Sequence, residues 1–289
     1  IVMETNLLLL DSYKNMEDLV AYAFSFSNRL KRNLKIVYVF DFDWMRQSFM
    51  VGATGPVNPA LVAVEKNARK EFKVAETKIR EVAADYMKKH AVKISFEVHV
   101  TEMNRIDVVQ NELDKEPGLI LFISNHQSYS EASGGLVGYP NLIEHVGCPV
   151  FVIPENARHA VLKEVVYASD FNPEDADALK HLLRLIHNSA NARVTVLHNE
   201  KNYGFEEKLM WTGFKEIVKE ETGNRKLSFS LKNNKDTVSA IEEFAGENDP
   251  DLLVIMKERK GFFEEMFTQN ETKSVLTHFH KPVLVYHEN

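Results

Sequence analysis

The feature that most constrains the fold is an order of apolar segments that the chain contains twice. Near the end of each half, two short apolar segments follow one another at the same spacing. They are Gly118–Ile123 and Cys148–Ile153 in the first half, and Asp251–Met256 and Lys281–Tyr286 in the second. Both correspondences span 133 positions (251 − 118 and 281 − 148). This self-similarity indicates two copies of one unit, and the length of 289 residues suits two domains.

The start of each half shows a second correspondence. The run Leu7–Leu10 ends at Asp11, and the run Val165–Ser169 ends at Asp170, which lies 159 positions later (170 − 11). The first half is therefore longer by 26 residues (159 − 133) between its first and fourth strands. We assign the excess to Asp43–Pro59, where turn-forming residues crowd together.

Helical and strand patterns alternate between these anchors. In the first half we predict strands at 34–40 and 92–100, with helices at 61–89 and 105–113. In the second half, we predict strands at 193–198 and 226–231, with helices at 205–221 and 237–244. Ser12 and Asn172 are predicted to cap the first helix of each half. Strands that alternate with helices indicate an α/β fold with a doubly wound parallel sheet of five strands in each half.

We place the boundary between the two domains in the polar stretch after the strand Cys148–Ile153. Residues 154–160 interrupt the apolar pattern there. The predicted domains are therefore 1–156 and 157–289.

Composition narrows the classes of function. Hydrophobic residues make up 44% and charged residues 27% of the chain, which excludes a disordered protein. The net charge of −7 argues against a nucleic-acid partner that needs a basic surface. The single cysteine, Cys148, allows no intrachain disulfide and fits a reducing compartment. Leu7–Leu10 is too short to span a membrane. We therefore expect a cytoplasmic protein with no membrane association.

Open parallel sheets bind ligands at the carboxyl ends of their strands, where the strand order reverses. Several chemically capable residues occupy such ends in the predicted sheets. They are Asp11, Phe40, Asp41 and Ser124 in the first half, and Asp170, His198, Asn199 and Lys257 in the second.

Several of these segments resemble the universal stress protein family. Val165–Phe171 is similar to the family's opening strand with its aspartate, and Val194–His198 to its second strand. Lys273–His278 followed by Lys281–Val285 is similar to its last helix and strand, and so is the region around Cys148-Pro149-Val150. The chain thus resembles a tandem universal stress protein. The resemblance implies an adenine-nucleotide alpha-hydrolase-like fold with strand order 3-2-1-4-5 in each domain.

The same resemblance raises the question of whether this chain binds ATP. ATP-binding members of the family carry a Gly-x2-Gly-x9-Gly-Ser/Thr loop after the fourth strand, whose backbone N–H groups approach phosphates. The first half instead has Ser124, Gln127 and Val137 at the glycine positions, and the second has Lys257, Lys260 and Asn270. Both loops are therefore degenerate.

Each loop keeps some capacity for an anion. In the first half, Gly134 and Gly135 lie in a serine-rich loop that could hold a phosphate, or they form a plain surface loop. In the second, Lys257 and its basic neighbours could pair with phosphate, although the phenylalanines after them favour a helix that packs on the core.

The resemblance also implies nucleoside contacts. Asp11 and Asp170 match the aspartate that contacts the nucleoside, and Val39 and Asn199 match the backbone position at the end of the second strand. A carboxylate there can accept hydrogen bonds from ribose or base groups. The alternative interpretation is that each aspartate caps the following turn or helix. The two interpretations are balanced for Asp170, and capping is favoured for Asp11.

Catalytic and metal-binding patterns are missing from the sequence. It contains no His-Glu-x-x-His helix, Gly-x-Ser-x-Gly elbow or Walker loop. His278 and His280 form a lone pair near the predicted end of the last helix, and Cys148 is expected to be a buried hydrophobe. Asp41 and Asp43 alone make a weak metal site. We predict no catalytic and no metal-binding residues.

The apolar part of Asp43–Pro59 has three open interpretations: a lid over a cleft, a contact with the sister domain, or a cover for its own core.

The predicted function is that of a non-catalytic, stress-response binding or regulatory protein. The alternative is a protein that binds ATP or AMP through a non-glycine loop, with slow ATP hydrolysis left open. A third hypothesis is an enzyme related to adenylyl-transfer proteins, which would need a phosphate loop that the sequence does not show. The resemblance implies that Pro149–Ile153 pairs with Pro282–Tyr286 between the two domains, and that the chain can form a homodimer. The protein or small-molecule partner is not identified by the sequence.

Overall fold

The structure is a computed structural model of the full chain. It describes residues 3–40, 59–124, 139–154, 157, 162–187, 189, 192–202, 204–223, 227–257 and 281–288. The chain divides into two compact units, Ile1–Ala160 and Val161–Asn289. The boundary predicted from the sequence, after residue 156, lies four residues before this division.

Unit 1 is a parallel sheet of five strands with helices between them. Its elements, in chain order, are β1 (Thr5–Leu10), α1 (Met16–Leu30), β2 (Asn33–Val39), α2 (Pro59–Lys89), β3 (Phe96–Thr101), α3 (Arg105–Lys115), β4 (Ile120–Ser124), α4 (Tyr139–His145) and β5 (Val150–Ile153). The strand order is β3-β2-β1-β4-β5, and every pair is parallel. In the register, Leu8 of β1 lies opposite Ile36 and Phe122.

Unit 2 repeats this arrangement. Its elements are β6 (Glu164–Ala168), α5 (Asp175–Leu185), β7 (Arg193–Asn199), α6 (Phe205–Thr222), β8 (Leu227–Lys232), α7 (Thr237–Asn248), β9 (Leu252–Lys257) and β10 (Val283–His287). The strand order is β8-β7-β6-β9-β10, again all parallel. The predicted α/β class with the order 3-2-1-4-5 is thereby confirmed in each unit.

The central strands are apolar along most of their length because helices cover both faces of a parallel sheet. Leu7, Leu8, Leu9 and Leu10 of β1 have no solvent exposure, and β4 and β9 are buried in the same way. In unit 1, the ring of Phe26 on α1 lies 4.5 Å from that of Phe151 on β5. These buried runs made the strands recognisable in the sequence.

The predicted helix caps are wrong in position. α1 begins at Met16 and α5 at Asp175, several residues after Ser12 and Asn172. The Ser12 hydroxyl instead accepts a hydrogen bond from Lys14 N at 3.3 Å. The Asn172 side chain likewise accepts one from Glu174 N at 2.8 Å. These side chains form turns that delay the start of each helix, which is a common alternative use of Ser and Asn.

The strand predicted at 92–100 is also shorter than expected, since β3 begins at Phe96. The residues before it are held by side chains rather than by the strand ladder. Asn28 Oδ1 accepts from Lys93 N at 2.9 Å, and Asn33 Oδ1 accepts from Ser95 N at 3.3 Å. The apolar residue Ile94 is buried in this segment, which is why the sequence pattern extended the strand too far.

Among the helices that the structure describes, none is both long enough and apolar enough to cross a lipid bilayer.

Candidate functional site

A cleft lies at the carboxyl ends of the strands of unit 2, beside the neighbouring strands β6 and β9. Its cavity volume is about 20 Å³, within about 400 Å³ of space that includes open solvent at the mouth. Its lining residues are Ala168, Ser169, Asp170, Asp175, Asn199, Thr237 and Met256. The strand order reverses between β6 and β9, because β7 and β8 lie on one side of this pair and β10 lies on the other. Open parallel sheets bind ligands at such a reversal. Of the residues predicted from the sequence, the structure brings Asp170 and Asn199 together here.

Asp170 presents its carboxylate to this cleft. Its side chain has no hydrogen-bond partner among the residues that the structure describes. The residue as a whole is exposed, but neighbouring atoms desolvate the carboxylate and raise its pKa above the ordinary value. The charge of His198 opposes this pKa shift, and the negative charge of Glu200 adds to it. A carboxylate that is partly desolvated and not hydrogen-bonded can accept hydrogen bonds from a ligand.

Asp175 forms the floor of the cleft, and sequence reasoning missed it. Its carboxylate is buried and accepts hydrogen bonds from the Tyr167 hydroxyl and the Ser169 hydroxyl, both at 2.6 Å, and from Asn172 N at 3.1 Å. Burial, together with this neighbouring carboxylate, raises the pKa of Tyr167 well above its ordinary value. Asp175 therefore organises the loop that carries Asp170. The available signal was a second aspartate in the first helical turn after the strand.

His198 lies behind the cleft wall rather than in the lining. Its Nδ1 donates to the carbonyl oxygen of Ser169 at 2.8 Å, which holds the loop after β6 against β7. Its Nε2 is buried without a hydrogen-bond partner among the described residues and lies 3.8 Å from Glu200 Oε2. The ring stacks on Phe171 at 3.7 Å and lies 5.9 Å from the ring of Trp211. Phe171 has a left-handed backbone, with φ of 59°. His198 thus positions the segment that contains Asp170.

Asn199 closes the neighbouring side of the cleft. Its side chain accepts from Asn234 N at 2.8 Å and donates to Asn234 O at 3.3 Å. This amide pair joins the carboxyl ends of β7 and β8. Above it, α7 begins at Thr237 after Asp236, whose side chain accepts from Ser239 N at 2.7 Å. The cleft therefore has fixed walls on both sides of Asp170.

The equivalent aspartate of unit 1 has a different environment. Asp11 Oδ2 accepts from Arg105 Nε at 3.1 Å and from Arg105 Nη2 at 3.0 Å. The two side chains are 2% and 16% exposed, so this ion pair is largely buried. Arg105 is the first residue of α3, and Thr237 is the first residue of α7 in unit 2. The aspartate of unit 1 is therefore ion-paired, whereas the aspartate of unit 2 faces a cleft.

The other predicted site residues fall into two groups. Val39 and Ser124 are buried at the ends of β2 and β4, and Lys257 ends β9 beside the lining residue Met256. The remaining residues lie outside the part of the chain that the structure describes. They are Asp41, the segment Asp43–Pro59 apart from its last residue, Gly134, Gly135, His278 and His280. Pro59 itself is the first residue of α2.

Cys148 is a free, buried cysteine, and burial raises the pKa of its thiol to about 12. Within the described ranges, no group of three or more His, Cys, Asp or Glu side chains is placed to hold a metal ion.

Comparison with known proteins supports the fold. Residues 229–287 match the model of the universal stress protein family. This stretch includes most of β8 and all of α7, β9 and β10 of unit 2. The chain has no significant match among curated proteins.

Solved structures with the same fold extend over both units. A universal stress protein from Archaeoglobus fulgidus DSM 4304 superposes with a TM-score of 0.64 at 12% identity, over 99% of this chain and 96% of that one. A putative universal stress protein from Pseudomonas aeruginosa UCBPP-PA14 gives 0.53 at 11% identity, over 99% and 94%. The cytoplasmic domain of a prokaryotic cation chloride cotransporter gives 0.56 at 9% identity, over 98% and 95%. At such identities the likeness shows the fold alone. The protein therefore has the fold of universal stress proteins, and the last part of its second unit carries that family's sequence pattern.

Proposed function

We propose that both units are domains of the universal stress type and that the protein is a non-catalytic binding or regulatory protein with one ligand site, in the cleft of unit 2. The observation that carries this proposal is the carboxylate of Asp170, which faces the cleft and has no hydrogen bond within the described structure. The equivalent carboxylate of Asp11 in unit 1 instead forms an ion pair with Arg105. The fold match to universal stress proteins supports it. We expect the protein to act in the cytoplasm, as the sequence predicts.

The lining of the cleft indicates the chemistry of the ligand. Among the residues that the structure describes, the lining offers two carboxylates, an amide and two hydroxyl groups, and it includes no lysine or arginine. Because Asp175 is saturated by hydrogen bonds from within the unit, Asp170 is the principal acceptor for a ligand. This set suits a neutral molecule rich in hydroxyl or amino donors, such as a nucleoside. It disfavours a phosphate against this wall, because like charges repel.

A thermal-shift experiment with adenosine, AMP and ATP on the intact chain tests the proposal. A ligand that binds the folded protein stabilises it by about 4 kcal/mol at 1,000 times its Kd. We expect adenosine to raise the Tm of the wild-type protein. Asp170→Asn should weaken adenosine binding at least ~10-fold, since a hydrogen bond to a charged group contributes about 1.5–3 kcal/mol.

Asp177→Asn is the matched control, because Asp177 is an exposed aspartate of the same unit that lies outside the cleft lining. This variant should bind adenosine as the wild type does. Equal affinity of the Asp170→Asn and Asp177→Asn proteins would contradict the assignment of Asp170. No stabilisation of the wild type by any of the three ligands would contradict the ligand class.

The second candidate function is ATP or AMP binding with slow hydrolysis. The observation in its favour is that Lys257, at the end of β9, brings a positive charge next to the lining residue Met256. The phosphates would then lie beyond β9, away from Asp170. This alternative requires ATP to bind at least tenfold more tightly than adenosine, and Lys257→Gln to remove that difference. Release of inorganic phosphate from ATP with Mg²⁺ would identify the hydrolytic version.

We further propose that Pro149–Ile153 pairs with Pro282–Tyr286 between the two domains and that the chain can form a homodimer. β5 and β10 are each the last strand in the order of their own unit, and both are apolar. Such an edge is a liability unless it is paired.

Amide hydrogen exchange on the intact chain tests the pairing. The amides of β5 and β10 should exchange more slowly than those of β3 and β8, which are the strands at the opposite edge of each unit's sheet. Equal rates at all four strands would contradict it. Sedimentation should show a species of twice 33.1 kDa for the homodimer.

A further inference from the structure

Helix α6 has a second apolar surface on the side that faces away from its own sheet. Trp211, Val218 and Thr222 form the buried face of the helix. On the opposite side, Phe205 is 76% exposed, Leu209 57%, Met210 55% and Ile217 57%. Phe205, Leu209 and Ile217 are spaced by multiples of four residues, so they share one face with Gly213. We call Phe205, Leu209, Met210, Gly213 and Ile217 the outer stripe. Exposed apolar groups in a contiguous row indicate an interaction surface.

Gly213 lies in the middle of the outer stripe, and the fold of unit 2 does not require it. A Cβ atom added at this position would meet no atom within 4 Å. Glycine is among the least favourable residues in the interior of a helix. A glycine at the centre of an apolar helix face lets another backbone approach closely. This observation is independent of the exposure of its neighbours and indicates that the stripe contacts another helix.

The charges around the outer stripe select the partner. Glu206 and Glu220 are exposed, and neither forms an ion pair with any residue that the structure describes. Glu216 is paired with Lys219 at 3.1 Å, and Glu221 is paired with Lys180. Glu206 and Glu220 are separated by 14 positions, or roughly 21 Å along the helix, so each end of the stripe is bordered by a negative charge that has no ion pair among the described residues.

The lysines of α6 do not neutralise these ends. Lys215 lies over the Trp211 ring, with Nζ 5.4 Å from the ring centroid. Lys219 is engaged with Glu216 and lies 5.9 Å from the Phe229 ring. By helical spacing Lys208 belongs to the flank away from the outer stripe. The outer stripe therefore has acidic residues at its two ends, and Glu216, which is paired with Lys219, lies beside Gly213 on the same side of the helix.

We propose that the outer stripe of α6 is a docking surface for a basic amphipathic helix of a partner protein. The partner's apolar face would cover Leu209, Gly213 and Ile217, and its basic residues would meet Glu206 and Glu220. A second copy of this chain, packed antiparallel through the same stripe, would place Glu206 beside Glu220 and repel it. An anionic membrane surface is repelled for the same reason. Recognition of an amphipathic helix by an apolar surface with complementary charge is an established mode of binding.

The test uses the full chain and a fluorescently labelled synthetic 18-residue peptide. Its leucines are placed to share one helix face, and lysine fills the other positions. A scrambled peptide of the same composition is the control for non-specific charge attraction. Anisotropy should show that the amphipathic peptide binds at least tenfold more tightly than the scrambled one. The preference should be measured at physiological salt, where exposed charges are screened beyond about 8 Å.

Two variants of the stripe test the site. The double variant Leu209→Gln and Ile217→Gln should weaken binding of the amphipathic peptide at least tenfold. Gly213→Leu should weaken it equally while the Tm of the protein stays unchanged or rises, because leucine is the better helix former and meets open space. Val74→Gln is the matched control, since Val74 is an exposed apolar residue on α2, in unit 1. That variant should bind the peptide within twofold of the wild type.

Several results would overturn the proposal. Equal affinity of the wild type and the Leu209→Gln, Ile217→Gln double variant would exclude the stripe as the site. Equal affinity for the two peptides would show charge attraction alone. A wild-type dimer that Ile217→Gln dissociates in sedimentation would make the occupant a second copy. Binding to vesicles of phosphatidylcholine and phosphatidylglycerol that the same variant abolishes would make it a lipid surface.

Discussion

Replacement of Arg105 by threonine should destabilise unit 1 far more than the loss of an ordinary surface charge. The change copies the residue that unit 2 carries at the start of α7. The side chain of Asp11 is 2% exposed. Two nitrogen atoms of Arg105 lie 3.0 and 3.1 Å from the same carboxylate oxygen of Asp11. Removal of one partner of a buried ion pair costs about 3–5 kcal/mol, because the other charge remains buried. We take about 3 kcal/mol, since Arg105 is itself 16% exposed.

Thermal unfolding followed by calorimetry measures this effect. For a domain of this size, each kcal/mol lowers the Tm by about 2–4 °C, so the expected decrease is ~6–12 °C in the transition of unit 1. Arg193→Thr is the control. Arg193 forms an ion pair with Glu164 but is 71% exposed, and such pairs contribute about 1 kcal/mol or less. A decrease for Arg105→Thr no larger than that for Arg193→Thr would refute the claim that the buried Asp11–Arg105 pair contributes more to stability than an exposed pair.

Two further predictions concern titratable groups of unit 1. Burial would raise the pKa of Glu112, but hydrogen bonds and charge from Lys35 and Lys115 lower it below its ordinary value. A depressed folded-state pKa adds stability that is present above the unfolded pKa and is lost as the pH falls through the folded pKa. Glu112→Gln should therefore make the free energy of unfolding less dependent on pH across the acid range, as urea titrations at pH ~6 and ~3 would show; an unchanged dependence would contradict this. Cys148, with its thiol pKa raised to about 12 by burial, should resist iodoacetamide at pH ~8 in the native protein. Mass spectrometry should detect its alkylation only after unfolding, and labelling at the rate of a free cysteine would show that the thiol is accessible.

Much of the fold could be predicted because the strands are marked by long buried runs. Leu7–Leu10 and Leu252–Met256 are apolar at every position, and this pattern needs no knowledge of distant residues. The ends of helices were harder to predict. The local hydrogen bonds of Ser12 and Asn172 decide where the chain turns, and the same residue types also cap helices.

The candidate site could be predicted only in part. The rule that ligands bind at the carboxyl ends of strands directed attention to Asp170 and Asn199, and both residues line the cleft. The partner of Asp11 could not be found in this way, because Arg105 is 94 residues distant in sequence and reaches Asp11 only through the packing of α3. The role of Asp175 depends on three donors that converge only in the folded chain.

The left-handed backbone of Phe171 has a consequence for how the cleft is presented to a ligand. A bulky residue with φ of 59° is disfavoured by about 1–2 kcal/mol, so its conformation must be enforced by its surroundings. The stack on His198 and the hydrogen bond from Phe171 N to the Ser169 hydroxyl, at 3.2 Å, provide that constraint. Asp170 is the residue immediately before Phe171. The loop that carries Asp170 is thus preorganised by the contacts of Phe171, and a ligand that binds there loses little free energy to ordering the loop.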